Sequence, residues 1–202
     1  MKTLFITATN TDVGKTYACE TLLKHYAKKG LKVGYFKPLE TGVITLPLDG
    51  NKMLTLVKEL NPDFDVNIED VVPYQFELPA APYVAKGEKN IDIDFLLKKK
   101  KELEKLCDIL IIEGAGGLMV PIEKNLFIID LIKILQAEAV LITPSKLGCI
   151  NDTLLSQEAL KARDIPFDWY INLYEDKDSF EKVSKPFLED YFGELKFLSQ
   201  LK

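Results

Sequence analysis

The chain has 202 residues, enough for one domain with a full core, and a globular composition of 47% hydrophobic and 28% charged residues. A net charge of −5 weighs against general binding to nucleic acid or to an anionic membrane surface. Three dispersed cysteines (Cys19, Cys107, Cys149) and a single histidine (His25) leave too little for a disulfide framework, a His-rich metal centre or a Ser-His-Asp triad.

The run TLFITA (3–8) is the first of four short, nearly continuous apolar segments. It is too short for a membrane span and no signal peptide is visible, so a soluble, cytoplasmic protein is expected. Residues 15–29 follow with helical spacing that puts Thr16, Cys19, Leu22, Leu23, Tyr26 and Ala27 near one face, and Gly30 closes the segment. His25 reads as a partly exposed passenger on it. KVGYFK (32–37) is the second apolar run, and the proline-studded stretch 61–94 reads as a long irregular connection around the sheet edge.

Residues 92–106 predict another helix with Phe95, Leu96, Leu103 and Leu106 turned inward. Its Lys98–Lys101 run lies beside Glu102 and Glu104, so a solvated charged face explains it better than nucleic-acid binding. DILIIEG (108–114) and AVLITP (139–144) complete the four runs, FDWYINL (167–173) adds a fifth after Ile165-Pro166, and residues 126–136 and 152–163 supply two more helices. Apolar strands alternating with helices predict an α/β fold: a doubly wound, mainly parallel sheet in a three-layer sandwich, formed by residues 1–202 as a single domain. The cysteines are expected as small buried core residues.

The segment ATNTDVGKT (8–16) joins the first strand to the first helix. A turn there would expose backbone N–H groups at the positive end of the helix, with Lys15 reaching the phosphates of a nucleotide and the Thr16 hydroxyl available to Mg²⁺. The glycine that usually starts such a loop is missing: Ala8 or Thr9 stands in its place. An alanine fits if the backbone there is extended. Two further strand ends point to the same edge. KPLETG (37–42) brings Lys37, and IIEGAGGLMVP (111–121) brings Glu113, a suitable acid for Mg²⁺, followed by Gly114, Gly116 and Gly117. Those glycines would let a substrate approach the main chain, although a plain turn accounts for them as well. SKLGCIND (145–152) offers the N–H groups of Gly148, Cys149 and Ile150 ahead of a helix capped by Asn151 or Asp152. That suits a carboxylate ligand, and an ordinary capped loop fits equally.

Taken in order, TATNTDVGKT, GYFKPLETG, PYQFELPAAP, DILIIEGAGGLMVP, SKLGCIND and the late INL and FGEL resemble the dethiobiotin synthetases, a P-loop NTPase-like family. The resemblance implies ATP-dependent carboxylation and ring closure of 7,8-diaminopelargonic acid with CO₂, a C–N-bond-forming ligase reaction, with Mg²⁺ as cofactor. It implies that Lys15 and Lys37 are catalytic, that Asp12, Val13, Gly14, Lys15, Thr16, Tyr17 and Asn172 bind the nucleotide, and that Asn172 reads the adenine edge. Thr11, Lys37, Thr41 and Gly116 would bind the substrate. Gly148, Cys149, Ile150 and Asn151 would take its carboxylate from the partner subunit, making a homodimer with shared sites. Thr16 and Glu113 would hold the metal.

The resemblance also has departures. The family's second metal-binding aspartate would fall at Lys52, and Asp49 either replaces it or caps the helix. Glu40 stands where a small residue is common. Regulatory relatives with the extended loop carry a signature lysine that would fall at Asn10, which argues against a nucleotide-gated switch. After FGEL the family usually continues further than Lys202, so weak nucleotide-base selectivity is expected.

Overall fold

A computed structural model of the chain describes residues 1–201. In chain order its elements are β1 (Lys2–Ala8), α1 (Lys15–Lys28), β2 (Val33–Phe36), β3 (Leu39–Thr41), α2 (Leu48–Leu60), α3 (Ile68–Val71), β4 (Tyr74–Phe76) and α4 (Pro82–Ala85). There follow α5 (Ile93–Glu104), β5 (Ile109–Glu113), β6 (Pro121–Glu123), β7 (Leu126–Phe127), α6 (Ile128–Ile134), β8 (Glu138–Pro144), α7 (Cys149–Lys161) and β9 (Phe167–Asn172). A short α8 (Lys177–Ser179) runs through a π turn (Phe180–Ser184) into α9 (Lys185–Phe192), and a 3₁₀ turn (Leu198–Leu201) ends the described chain.

The five apolar runs form one sheet in the order β2-β5-β1-β8-β9, with every neighbouring pair parallel. Leu4 pairs with Ile111 on one side of β1, and Phe5 pairs with Ala139 on the other. Every residue of β5 is buried, so helices cover both faces, as the unbroken apolar run requires. The edge strand β9 differs, because its first four residues are only half-buried. Parallel strands all point the same way, so the carboxyl ends of β1, β2, β5 and β9 open on one edge of the sheet. There β5 and β8 flank β1 and leave the crevice in which open α/β sheets bind ligands.

Local chemistry sets the helix ends. Gly30 is the left-handed residue (φ 81°) after α1, where its N–H and that of Leu31 return to the carbonyls of Ala27 and Tyr26. The start of α7 overturns the expectation of an Asn151 or Asp152 cap. The helix begins three residues before 152, with left-handed Gly148 (φ 94°) at its cap position, so both side chains lie in its first turn.

Other expectations are also corrected. The supposed helix at 126–136 opens with a strand, because Leu126 and Phe127 pair with β6 before α6 starts. The stretch 61–94 runs along the β2 edge as expected, with Lys37 N–H donating to Val71 O and Asn61 Nδ2 to Val33 O, but it contains α3, β4 and α4. In α5, Phe95 is 37% exposed and packs edge-on against Tyr74, whereas Lys100 is buried and pairs with Glu104. The lysine run is therefore solvated at Lys98 and Lys101 but not throughout. Cys19 and Cys149 are buried, and Cys107 is half-buried. His25 is half-buried, with Nδ1 2.9 Å from the Leu201 carbonyl. No helix among the described residues is long and apolar enough to cross a membrane.

Candidate active site

The loop after β1 resolves the question of the missing glycine. Ala8 ends the strand fully buried, and Thr9 N–H continues the ladder to Ile142 O at 3.1 Å. The left-handed positions of this loop are Asp12 (φ 59°) and Gly14 (φ 96°), so Ala8 and Thr9 need no glycine conformation. Gly14 is required twice over: its φ is positive, and a Cβ there would lie 2.3 Å from Asn172 Nδ2. Ala18 N–H donates to Gly14 O, so the amides of Lys15 and Thr16 precede the helical ladder of α1 and the loop opens at the positive end of the helix, where an anion fits.

The strand tips meet at Glu113. This carboxylate is 1% exposed, and its Oε1 accepts from Thr16 Oγ1 at 2.9 Å and from Lys37 Nζ at 2.8 Å. Its Oε2 accepts from the Tyr35 hydroxyl at 2.8 Å. Lys37 also donates to Asp49 Oδ2 at 3.0 Å, so one buried ammonium bridges two carboxylates. Burial pushes the Lys37 pKa down, but Glu113 and Asp49 outweigh it and raise the net value, keeping the lysine cationic. Lys15, also buried, turns back to donate to Asn10 O at 3.1 Å. Its pKa is lowered, by desolvation first and by Lys37 in part, against the pull of Glu113. The Tyr35 phenol and the Cys19 thiol beside Glu113 are both raised well above their usual values, by burial and then by the Glu113 charge, so both stay neutral.

Glu40 has a structural task that accounts for its unusual place. Its two oxygens accept the N–H groups of Asp49 and Gly50 at 3.2 and 3.0 Å, capping the start of α2. Asp49 is therefore not the cap. It sits in the first turn with its carboxylate toward Lys37, while Lys52 points elsewhere and pairs with Glu20 at 2.9 Å.

These residues line a cleft of about 830 Å³ that includes Thr11, Asp12, Gly14, Lys15, Thr16, Tyr17, Lys37, Thr41, Asp49, Glu113, Gly116 and Asn172. Of the sequence-derived nucleotide residues, Val13 is buried beneath the loop. Gly148, Cys149, Ile150 and Asn151 do not line the cleft of their own chain, and Cys149 is buried in a separate cluster with Ile171 and Phe180. The glycines after Glu113 divide in role. Of the three expected to admit a substrate, Gly114 and Gly116 (φ 67°) line the cleft, whereas Gly117 does not and is packed where a Cβ would lie 2.9 Å from the Thr9 carbonyl; Gly114 is also packed, with a Cβ there 2.8 Å from Phe5.

Sequence reasoning missed Tyr35 and Tyr174, and it noted Glu40 only as a departure, without its capping role. Tyr35 had a signal: it lies two residues before Lys37, so strand alternation carried one residue past the end of β2 puts both on one face. The donor set around Glu113 suits Mg²⁺. Thr16, Glu113 and Asp49 offer only hard oxygens, and Mg²⁺ is typically held by one or two carboxylates together with phosphate oxygens and water. Among the described residues, no group of three or more His, Cys, Asp or Glu side chains could by itself hold a metal ion.

Comparison with known proteins agrees with this geometry. A family model described as an AAA domain matches residues 2–201. The ATP-dependent dethiobiotin synthetase BioD of Sulfurovum sp. is 53% identical over 193 residues, covering 95% of this chain and 92% of the relative. That of Wolinella succinogenes is 42% identical over 94% of this chain and 89% of its own length. Among solved structures, the MinD cell division protein of Aquifex aeolicus superposes with a TM-score of 0.57 at 18% identity, over 98% of this chain and 80% of that one. The septum site-determining protein MinD complexed with Mg-ADP from Pyrococcus horikoshii gives 0.54 at 18% identity, over 97% and 79%. At such identities the structural likeness establishes the fold, a P-loop NTPase sandwich.

Proposed function

This chain belongs to the ATP-dependent dethiobiotin synthetase family, and from that premise we propose how its strand-tip cleft performs the reaction. The enzyme is a C–N-bond-forming ligase of biotin biosynthesis that carboxylates 7,8-diaminopelargonic acid with CO₂ and closes the ring at the expense of ATP. One amine of the diamine takes up CO₂ as a carbamate, and a carbamate oxygen attacks the γ-phosphorus, releasing ADP. The second amine then attacks the carbonyl of the resulting carbamic–phosphoric anhydride, and phosphate leaves with the oxygen that had bridged carbon and phosphorus. No protein nucleophile is needed, so catalysis reduces to positioning and charge stabilisation.

The open amides after Asp12 receive the triphosphate, with Lys15 swinging from the Asn10 carbonyl to the transferring phosphoryl group. Lys37 neutralises the carbamate and the anhydride as charge develops. Thr16, Glu113 and Asp49 would hold Mg²⁺, which supplies charge neutralisation at the β- and γ-phosphate oxygens. Thr11, Thr41 and Gly116 border the diamine. Asn172 presents its amide toward the adenine, with Tyr17 nearby at the cleft wall. Gly148, Cys149, Ile150 and Asn151 lie outside their own chain's cleft, which fits a homodimer in which each subunit lends this helix start to its partner's substrate carboxylate. One subunit then carries every residue of the site except those four, which its partner lends.

The observation that carries the reading is the meeting of Thr16 from α1 with Tyr35 and Lys37 from β2 and its exit on one buried carboxylate, Glu113 of β5. The test is product formation. Purified protein with Mg²⁺, ATP and bicarbonate should release phosphate only when 7,8-diaminopelargonic acid is added, with dethiobiotin in equal amount. Phosphate release indifferent to the diamine would point to a nucleotide-gated switch instead. For the shared site, mixed Lys37→Ala and Asn151→Ala proteins should regain partial activity, and no recovery despite subunit exchange would refute it.

A further inference from the structure

The exit of β9 meets the phosphate loop at two successive peptides. Asn172 Nδ2 donates to the Val13 carbonyl at 3.0 Å, and the Tyr174 hydroxyl donates to the Asp12 carbonyl at 2.7 Å. Both contacts span about 160 residues of sequence, so they are made only by the folded sheet. Asp12 lies in the left-handed region (φ 59°), which is uncommon for a residue with a Cβ although Asp adopts it more readily than most. The loop that makes these contacts is itself tied down, because Ser145 Oγ at the end of β8 donates to the Glu175 carbonyl.

We infer that Tyr174 is a positioning residue for the nucleotide: with Asn172 it clamps the Asp12 and Val13 carbonyls and so presets the phosphate cradle. In a planar trans peptide the C=O of one residue and the N–H of the next point in opposite directions. Drawing the Asp12 and Val13 carbonyls toward β9 therefore turns the N–H groups of Val13 and Gly14 the other way, toward the side on which α1 opens. A loop without this clamp would have to fix two peptide orientations when the phosphate arrives, and affinity would drop by that ordering cost. The same contacts give Asn172 a second duty: it donates one N–H to the loop, and its second N–H and its carbonyl oxygen remain for the base.

The inference rests on the nucleotide-site reading and deepens it. The experiment measures the Kd of Mg·ADP by calorimetry for the wild type, Tyr174→Phe and Tyr174→Ala, together with steady-state constants. Tyr174 is 45% exposed, so neither substitution opens the core. Tyr174→Phe keeps the ring and loses only the donor, and should weaken ADP about fivefold, the range of one net hydrogen bond. The KM for ATP should rise by a similar factor, with kcat and the KM for the diamine within twofold of wild type, the pattern of lost uniform binding. ADP affinity equal to wild type in Tyr174→Phe overturns the clamp, and if Tyr174→Ala alone is weakened, the ring packs against the nucleotide instead. A fall in kcat with intact ADP affinity also overturns it. Failure of the wild type to bind Mg·ADP would remove the nucleotide-site reading itself, a result distinct from all of these.

Discussion

Replacing Tyr35 with Phe deletes one oxygen from the middle of the protein and leaves the ring in place. The hydroxyl is fully buried and donates at 2.8 Å to a carboxylate that is 1% exposed, so water does not compensate the loss. Glu113 would keep Thr16 and Lys37 on Oε1, while Oε2 would face an aromatic edge. A hydrogen bond to a buried charge contributes about 1.5–3 kcal/mol, and the isosteric ring adds no cavity cost. For a chain of this length that corresponds to a fall in Tm of about 3–12 °C. Urea unfolding of wild type, Tyr35→Phe, Glu113→Gln and the double variant would isolate the pair, with a coupling of about 1 kcal/mol or more expected. A single-variant loss below about 0.5 kcal/mol with no coupling would refute the claim that Tyr35 orients Glu113. In parallel, the Mg²⁺ concentration giving half-maximal activity should rise in Tyr35→Phe, because one oxygen of the proposed metal ligand is no longer held.

The other expectations concern charge and thiols. Lys37→Ala removes the ammonium proposed to face the reacting groups and should lower kcat by about 100- to 1000-fold, as for loss of one preorganised charge donor, whereas an unchanged rate would end its assigned role. The Cys107 thiol is pushed up to about 12 by burial and then by the Glu104 and Asp108 charges, and Cys19 is raised well above its usual value by burial and Glu113. A raised thiol pKa means less thiolate at a given pH, about one part in 10⁴ at pH 8 for Cys107. A thiol reagent at pH 8 should therefore label the native protein at least about a hundredfold more slowly than the urea-unfolded chain, which exposes all three cysteines. Rapid labelling of Cys19 or Cys107 in native protein would contradict their placement.

Much of the architecture was legible because each core strand is a continuous apolar run, a signal that survives without knowledge of partners. Helix limits were less so. Leu126 and Phe127 share the spacing of α6, and only their pairing with Pro121 and Glu123 makes them a strand. The start of α7 moved because a left-handed glycine supplies the cap position that polar residues at 151–152 advertise. Lys100 looked solvated because its partner Glu104, which also accepts from Thr3 of β1, is fixed by tertiary packing.

In the site, Lys37 and Glu113 stood out because charged residues at the ends of apolar strands are conspicuous, and Lys15 and Thr16 because Gly-Lys-Thr opens a helix after such a strand. Tyr35 hid inside such a run, where a strand buried on both faces blurs the alternation that separates site from core. Glu40 looked like an excess charge until α2 folded over it with two free N–H groups. Asp49 illustrates the limit most clearly. Its neighbours in sequence favour a cap, and only the position of Lys37 across the cleft gives its carboxylate another partner.

The central claim is that the cleft drives phosphoryl transfer onto a carbamate oxygen. Its most direct measurement supplies ¹⁸O-labelled CO₂ in a reaction brief compared with exchange into water, with unlabelled ATP, Mg²⁺ and the diamine, and weighs the released phosphate by mass spectrometry. The account predicts one labelled oxygen per phosphate, the atom that bridged carbon and phosphorus. Phosphate carrying no label while dethiobiotin accumulates would contradict it.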